Sequence, residues 1–136
     1  MPVSFENALG VQQEALRFHN RRNDVLASNL ANADTPNYQA RDMDFREALA
    51  ESERMSASPE ATHERHLGSN PNGSGPDAEL QYRVPNQPTL DGNTVDPEQE
   101  MSAFAENVMR YEAALRFTDG RISSMREAIT GQAGGM

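Results

Sequence analysis

Met101, Phe104, Val108, Tyr111, Leu115, Thr118, Ile122, Met125 and Ile129 follow one another at gaps that alternate between three and four, and only Thr118 among them is neither apolar nor aromatic. A repeat averaging 3.5 residues is the seam of a coiled-coil helix, whose a and d side chains enter holes on a partner. The stretch has a marked start. Asp96 can cap it, Pro97 suits the first helical position, and Gln99 stands where a capping box wants it. A helix from Asp96 to Thr130 is a rod of roughly 50 Å at about 1.5 Å per residue, longer than a compact domain of this size needs. We read it as an element of assembly.

The opposite end of the chain predicts a first helix, capped at Ser4 and running to about Asn32. Leu9, Leu16, Asn23 and Leu30 recur every seven residues, with Phe5, Gln12, His19 and Leu26 interleaved. A second stripe of Ala8, Val11, Ala15, Phe18 and Val25 lies beside the first. Two adjacent stripes make an apolar face too wide for one seam, so this helix is expected to touch more than one neighbour. Gln12, His19 and Asn23 interrupt the first stripe and are read as partly exposed positions, or as polar residues facing another subunit. A register-fixing contact of the kind buried Asn provides is the sharper alternative.

Between these ends the pattern weakens. Ala33-Asp-Thr-Pro-Asn-Tyr38 stops the first helix, because Pro36 pushes Thr35 out of the helical region and Asp and Asn favour turns. Arg41 to Met55 offers a short amphipathic helix with Asp44 and Glu47 as a capping box. From Ser56 to Thr94 periodicity is lost among Ser, Pro, Gly and Asn, and only Leu80 to Val84 alternates like a short strand. This middle is expected to be an extended connector that orders against neighbouring subunits. Gly131 ends the last helix, and a frayed tail follows. The expected fold is therefore all-α: two long terminal helices in an antiparallel, coiled-coil-like pair, with a mostly irregular middle holding a short helix and a short strand. The divisions fall at 1–33, 34–95 and 96–136.

Composition narrows the function. The chain has 136 residues, no cysteine and a net charge of −9, with every basic side chain an arginine. An acidic chain without a basic stripe argues against nucleic acid or an anionic membrane as partner. No apolar run approaches the ~20 residues of a membrane span, and the start lacks the basic and apolar regions of a cleavable signal. Hydrophobic residues at 36% and aromatics at 6% leave little for a large independent core, so the lone subunit is expected to be partly disordered until it assembles.

Two blocks carry a resemblance. Leu26-Ala-Ser-Asn-Leu-Ala-Asn-Ala-Asp-Thr-Pro-Asn-Tyr38 is similar to the N-terminal signature of the bacterial flagellar rod, hook and hook-associated proteins, usually A-N-x-x-T-P-G-Y, with Asn37 in place of the Gly. Tyr82-Arg-Val-Pro-Asn-Gln-Pro-Thr-Leu-Asp-Gly-Asn-Thr-Val-Asp96, with Arg41-Asp-Met-Asp-Phe45 and Thr62-His-Glu-Arg-His-Leu67, resembles the proximal-rod branch of that family. The resemblance implies a structural subunit of the basal-body rod, exported unprocessed by the flagellar type III apparatus. It also implies as neighbours FlgC, distal rod proteins and the adaptor FliE at the membrane ring. Asn29, Asn32, Thr35, Pro36 and Tyr38 would form its turn motif. Arg83, Pro85, Gln87, Pro88, Leu90, Asp91, Gly92, Asn93, Thr94 and Val95 would form its connector motif.

Other chemistry finds little footing. His63 and His66 with Glu60 and Glu64 have metal-like spacing, but Pro59 and Gly68 deny them a stable helix, and a polar loop is the plainer reading. Asp42 and Asp44 suit helix capping better than acid–base work. No nucleophile elbow or phosphate loop occurs, so we expect no enzyme, metal or cofactor. The expected assembly core is Phe5, Leu9, Leu16, Leu26 and Leu30 with Met101, Phe104, Val108, Tyr111, Leu115, Ile122, Met125 and Ile129. The rival reading is a soluble coiled-coil adaptor or export chaperone.

Overall fold

A computed structural model of the chain describes residues 5–57, 80–87 and 89–131. Helix α1 (Phe5–Ala31) leads through a turn to strand β1 (Arg41–Asp42) and helix α2 (Phe45–Ala57). Strand β2 (Gln81–Tyr82) then precedes the long helix α3 (Pro97–Thr130). The proposed cap at Ser4, the side chain of Phe5, the His63 and His66 cluster, Pro88 and the tail after Gly131 lie outside the described residues. Among the described residues no helix is long and apolar enough to cross a membrane.

The boundaries of α3 have local causes. The Asp96 side chain accepts from the backbone N–H of Glu98 and Gln99 at 3.1 and 3.3 Å, and Pro97 occupies the first turn, where its missing N–H costs nothing. Gly131 closes the helix at φ +68°, in the left-handed region that favours glycine. At the end of α1 the Asn32 side chain turns back to donate to the Ser28 carbonyl at 2.8 Å.

Helix α1 is the hub, touching α3, β1 and α2. Its two faces divide the work. Phe18, from the second apolar stripe, is buried with Met43 and Ala48, and Val25 and Phe45 pack against that cluster. Phe18 and Phe45 meet edge to face with ring centroids 5.2 Å apart, so this small core fastens α2 to α1. On the other face Asn29 bonds Glu100, whereas His19 and Asn23 bond Asn107. Moving forward along α3 is thus moving backward along α1.

The buried residues of α3 are Glu100 and Asn107. Both stand just off the apolar seam, one residue before Met101 and Val108. Val108, Tyr111, Thr118 and Met125 are half-buried, while Met101, Phe104, Leu115, Ile122 and Ile129 are exposed. On α1, Leu26 is buried, Leu9 and Leu16 are half-buried and Leu30 is exposed.

Three expectations need correcting and a fourth needs an addition. Arg41 and Asp42 do not begin the short helix. They form β1, paired antiparallel with β2 so that Arg41 faces Tyr82 and Asp42 faces Gln81. Asp42 caps nothing in α2; Asp44 does, accepting from the Arg46 N–H at 2.7 Å. His19 and Asn23 are half-buried, in keeping with partial exposure, but both also engage α3 through Asn107. The connector from residue 80 onward is bonded to its own chain, since the turn after α1 offers it a row of carbonyls.

Candidate functional site

The exit of a helix leaves carbonyl oxygens without partners, and something must satisfy them. Here the turn N–H groups of Thr35 and Tyr38 reach Asn32 O and Thr35 O, and a further partner comes from some sixty residues away. The Asn93 Nδ2 donates to the carbonyls of Asn32, Ala33 and Thr35 at 3.0, 2.8 and 2.9 Å. Its Oδ1 accepts from the Val95 N–H at 2.8 Å, so both ends of this buried amide are used. The Thr89 hydroxyl donates to the Asn93 carbonyl, and the Asn37 N–H donates to the Asp91 carbonyl at 2.9 Å. The Thr94 N–H reaches Tyr38 O at 3.0 Å, and the Ala40 N–H returns to Thr94 Oγ1 at 2.7 Å. The turn motif and the connector motif are therefore one structure.

Two backbone positions make this approach possible. Asn37 has φ +61°, the left-handed conformation that Asn tolerates better than most residues. Gly92 has φ +73° and packs against Asn37. Pro36, Pro85, Gln87, Leu90 and Asp91 are exposed around the junction. The Tyr38 hydroxyl lies 3.4 Å from both Ser28 Oγ and Asn29 Oδ1, against the last turns of α1.

Below the turn lies a charged core. Asp42 receives Arg22 through two bonds, at 2.8 Å from Nε and 3.0 Å from Nη2, and Arg83 through a third at 2.8 Å. Arg83 also pairs with Glu100, whose side chain is fully buried. Asn29, 0% exposed, links the parts. Its Nδ2 donates to the Arg41 carbonyl at 2.6 Å and to Glu100 at 3.2 Å, and its Oδ1 accepts from the Arg41 N–H at 3.1 Å. Four elements, α1, β1, the strand-β2 segment and α3, are thus held by two cations and two carboxylates. None of the buried side-chain polar atoms among the described residues lacks a partner. Such a satisfied network specifies one arrangement, because removing any member strands the rest.

The charges are tuned in opposite senses. Burial pushes the Asp42 carboxyl upward, but the bonds from Arg22, the Met43 N–H and Arg83 outweigh it and hold the group below its ordinary value. At Glu100 burial wins, and the carboxyl is raised despite Asn29 and Arg83. Arg22 is raised, chiefly by its hydrogen bond to Asp42. The geometry fixes directions of chain exit.

Arg22, Glu100 and Asn107 carry much of this junction, and hydropathy reading passes over them. The available signal was spacing: Glu100 and Asn107 are seven apart, flanking the apolar repeat, a position where polar residues meet a neighbouring helix. The expected turn residues and most of the connector residues do come together, whereas the exposed assembly-core side chains of α3 stay apart from them.

Known proteins are similar to this chain along nearly its whole length. A family described as "Flagella basal body rod protein" matches residues 9–39, covering most of α1 and its exit turn. The chain is 42% identical to the flagellar basal body rod protein FlgB of Aeromonas hydrophila, over 97% of this chain and 99% of that one. It is 44% identical to the FlgB of Escherichia coli strain K12, over 90% and 92% of the two chains. With the FlgB of Cereibacter sphaeroides the identity is 42%, over 96% and 99%.

Proposed function

The chain belongs to the FlgB family of flagellar basal body rod proteins, and from that premise we propose how such a rod subunit is completed by its neighbours. It is a structural component of the bacterial flagellum, located in the basal body, and the reading assigns it no catalysis. The polar junction holds α1, the turn and the root of α3 as one corner. From that corner α3 carries an apolar ribbon that its own chain leaves open: Met101 is 61% exposed, Ile122 47% and Ile129 73%. This open ribbon is the observation on which the reading rests. Fully burying a Leu or Ile side chain contributes about 1.5–3 kcal/mol, so several such positions per interface hold a packed tube without covalent links.

In this reading the terminal helices pack coiled-coil fashion with those of other subunits, and the shaft transmits torque through them. An interface that does not close on itself generates a helical tube. The neighbours are other rod subunits such as FlgC, and FliE at the membrane ring. Export proceeds through the flagellar type III apparatus.

A test separates assembly from folding. Leu115→Asp and Ile122→Asp place charge on the ribbon, away from the junction. The expected outcome is loss of swimming and of isolable rods, with a purified subunit whose melting temperature stays within about 3 °C of the parent. Normal motility in the double variant would remove the ribbon from the assembly surface.

A further inference from the structure

An apolar heptad repeat cannot by itself say where a partner helix must stop. Sliding α3 by seven residues, about 10 Å, exchanges Phe104 for Tyr111, Val108 for Leu115, Leu115 for Ile122 and Ile122 for Ile129. Each of these exchanges keeps an apolar or aromatic side chain, and only Tyr111, replaced by Thr118, gives way to a polar one. The same ribbon would accept a second α3 as readily as an α1. Something else must choose.

Asn107 is 0% exposed in the middle of the α1–α3 contact. Its Nδ2 donates to the His19 carbonyl and to Asn23 Oδ1, each at 2.7 Å. Both amide hydrogens are therefore committed to oxygens, so Oδ1 is the acceptor for the His19 ring Nδ1, also 2.7 Å away. All three bonding positions point at two residues of one helix. Thr118, the polar member of the seam, makes no such cross-helix bond: its hydroxyl donates to the Ala114 carbonyl one turn back in its own helix, at 2.8 Å.

We propose that Asn107, held by His19 and Asn23, decides which helix α3 accepts: the α1 of its own chain, in one register, against another α3 or a slid α1. The polar positions fail under the slide that the apolar ones, Tyr111 excepted, survive. A seven-residue shift brings Ala114 opposite His19 and Asn23, and brings the neutral Asn107 to Arg83 in place of Glu100. One contact loses its amide and the other loses its charge. Against a second α3, the Asn107 amide would be buried beside apolar side chains with its bonds unmade, which is costly. The contact is thus a specificity-determining one, and it rests on the rod reading only for what the open ribbon meets.

The experiment is sedimentation velocity on the purified full chain, compared with Asn107→Leu, an isosteric change that removes the selection. His19 O keeps its place in the α1 backbone ladder, and the half-buried His19 ring and Asn23 can turn to water. The expected result is self-association about tenfold stronger than that of the parent, with helix content and melting temperature no lower. The variant His19→Leu/Asn23→Leu/Asn107→Leu, with no polar group left at the junction, should associate at least as strongly. Less than a threefold change in both variants would overturn the proposal. Loss of the folded helices in both would also overturn it, because the contact would then hold the fold instead of choosing partners. Failure of the rod reading itself would appear elsewhere, as normal motility in the ribbon variants.

Discussion

A methyl group added at Gly92 would stand 2.6 Å from Asn37 Oδ1, on a backbone whose φ of +73° disfavours any side chain. Gly92→Ala is therefore expected to destabilise the subunit by about 1–3 kcal/mol, measured as a lower midpoint in urea. Asn37→Gly relieves the neighbouring strain and serves as the control that should not. Asp42 makes a second prediction at this scale. Its folded carboxyl lies below the ordinary value, so its stabilising contribution is present above that value and is lost as pH falls through the lowered one. Glu100 has the opposite sign: its raised value favours the protonated form, and its contribution declines as pH rises from the ordinary glutamate value through the raised one. Asp42→Asn should melt well below the parent at neutral pH, and the difference should shrink once the pH drops under about 4. A difference that stays constant into acid would mean the carboxylate charge is not what holds Arg22 and Arg83.

Each long helix is two different objects joined end to end. Around the junction lie the buried Leu26, Asn29, Glu100 and Asn107; in α3 beyond Asn107, and in α1 before Phe18, no described side chain is fully buried. Hydrogen exchange on the purified subunit should show that division, with amides of 20–31 and 98–110 protected longest and those of 9–16 and 115–128 exchanging at least tenfold faster. Equal protection along α3 would contradict it. The same division explains what could be read in advance. Asp96, Pro97 and Gly131 announced α3 through local chemistry, and Pro36 announced the end of α1. The two-stripe argument anticipated the Phe18 contact with α2. Strand β1 was illegible because two residues hold no alternation, and its partner lies forty residues on. Glu100 and Asn107 were passed over because hydropathy treats buried charge and buried amide as surface. Asn93 was named only through the resemblance, as one connector residue among ten; that it answers three carbonyls of another segment is a fact of tertiary contact, invisible to any window.

For the whole molecule the corner decides how the chain is presented. Pro36 stops α1, and the Tyr38 hydroxyl lies against Ser28 and Asn29; in the proposed function these two residues set the angle at which the turn departs. Under the proposed function, Pro36→Ala and Tyr38→Ala are expected to leave export of the subunit near the parental level while reducing completed rods several-fold. Immunoblots of exported fractions and counts of isolated basal bodies would check this. Parental rod numbers in both variants would detach the turn from assembly. The corner also has mechanical character. It is closed by directional bonds whose energy falls steeply with misalignment, whereas the outer lengths of both helices are held by contacts indifferent to direction. Slippage of one helix along the other meets resistance near Asn93 and Glu100 and little near Ile129. Under the proposed function, a shaft laid up from such pieces would be stiff at the collar of each subunit and compliant along its staves.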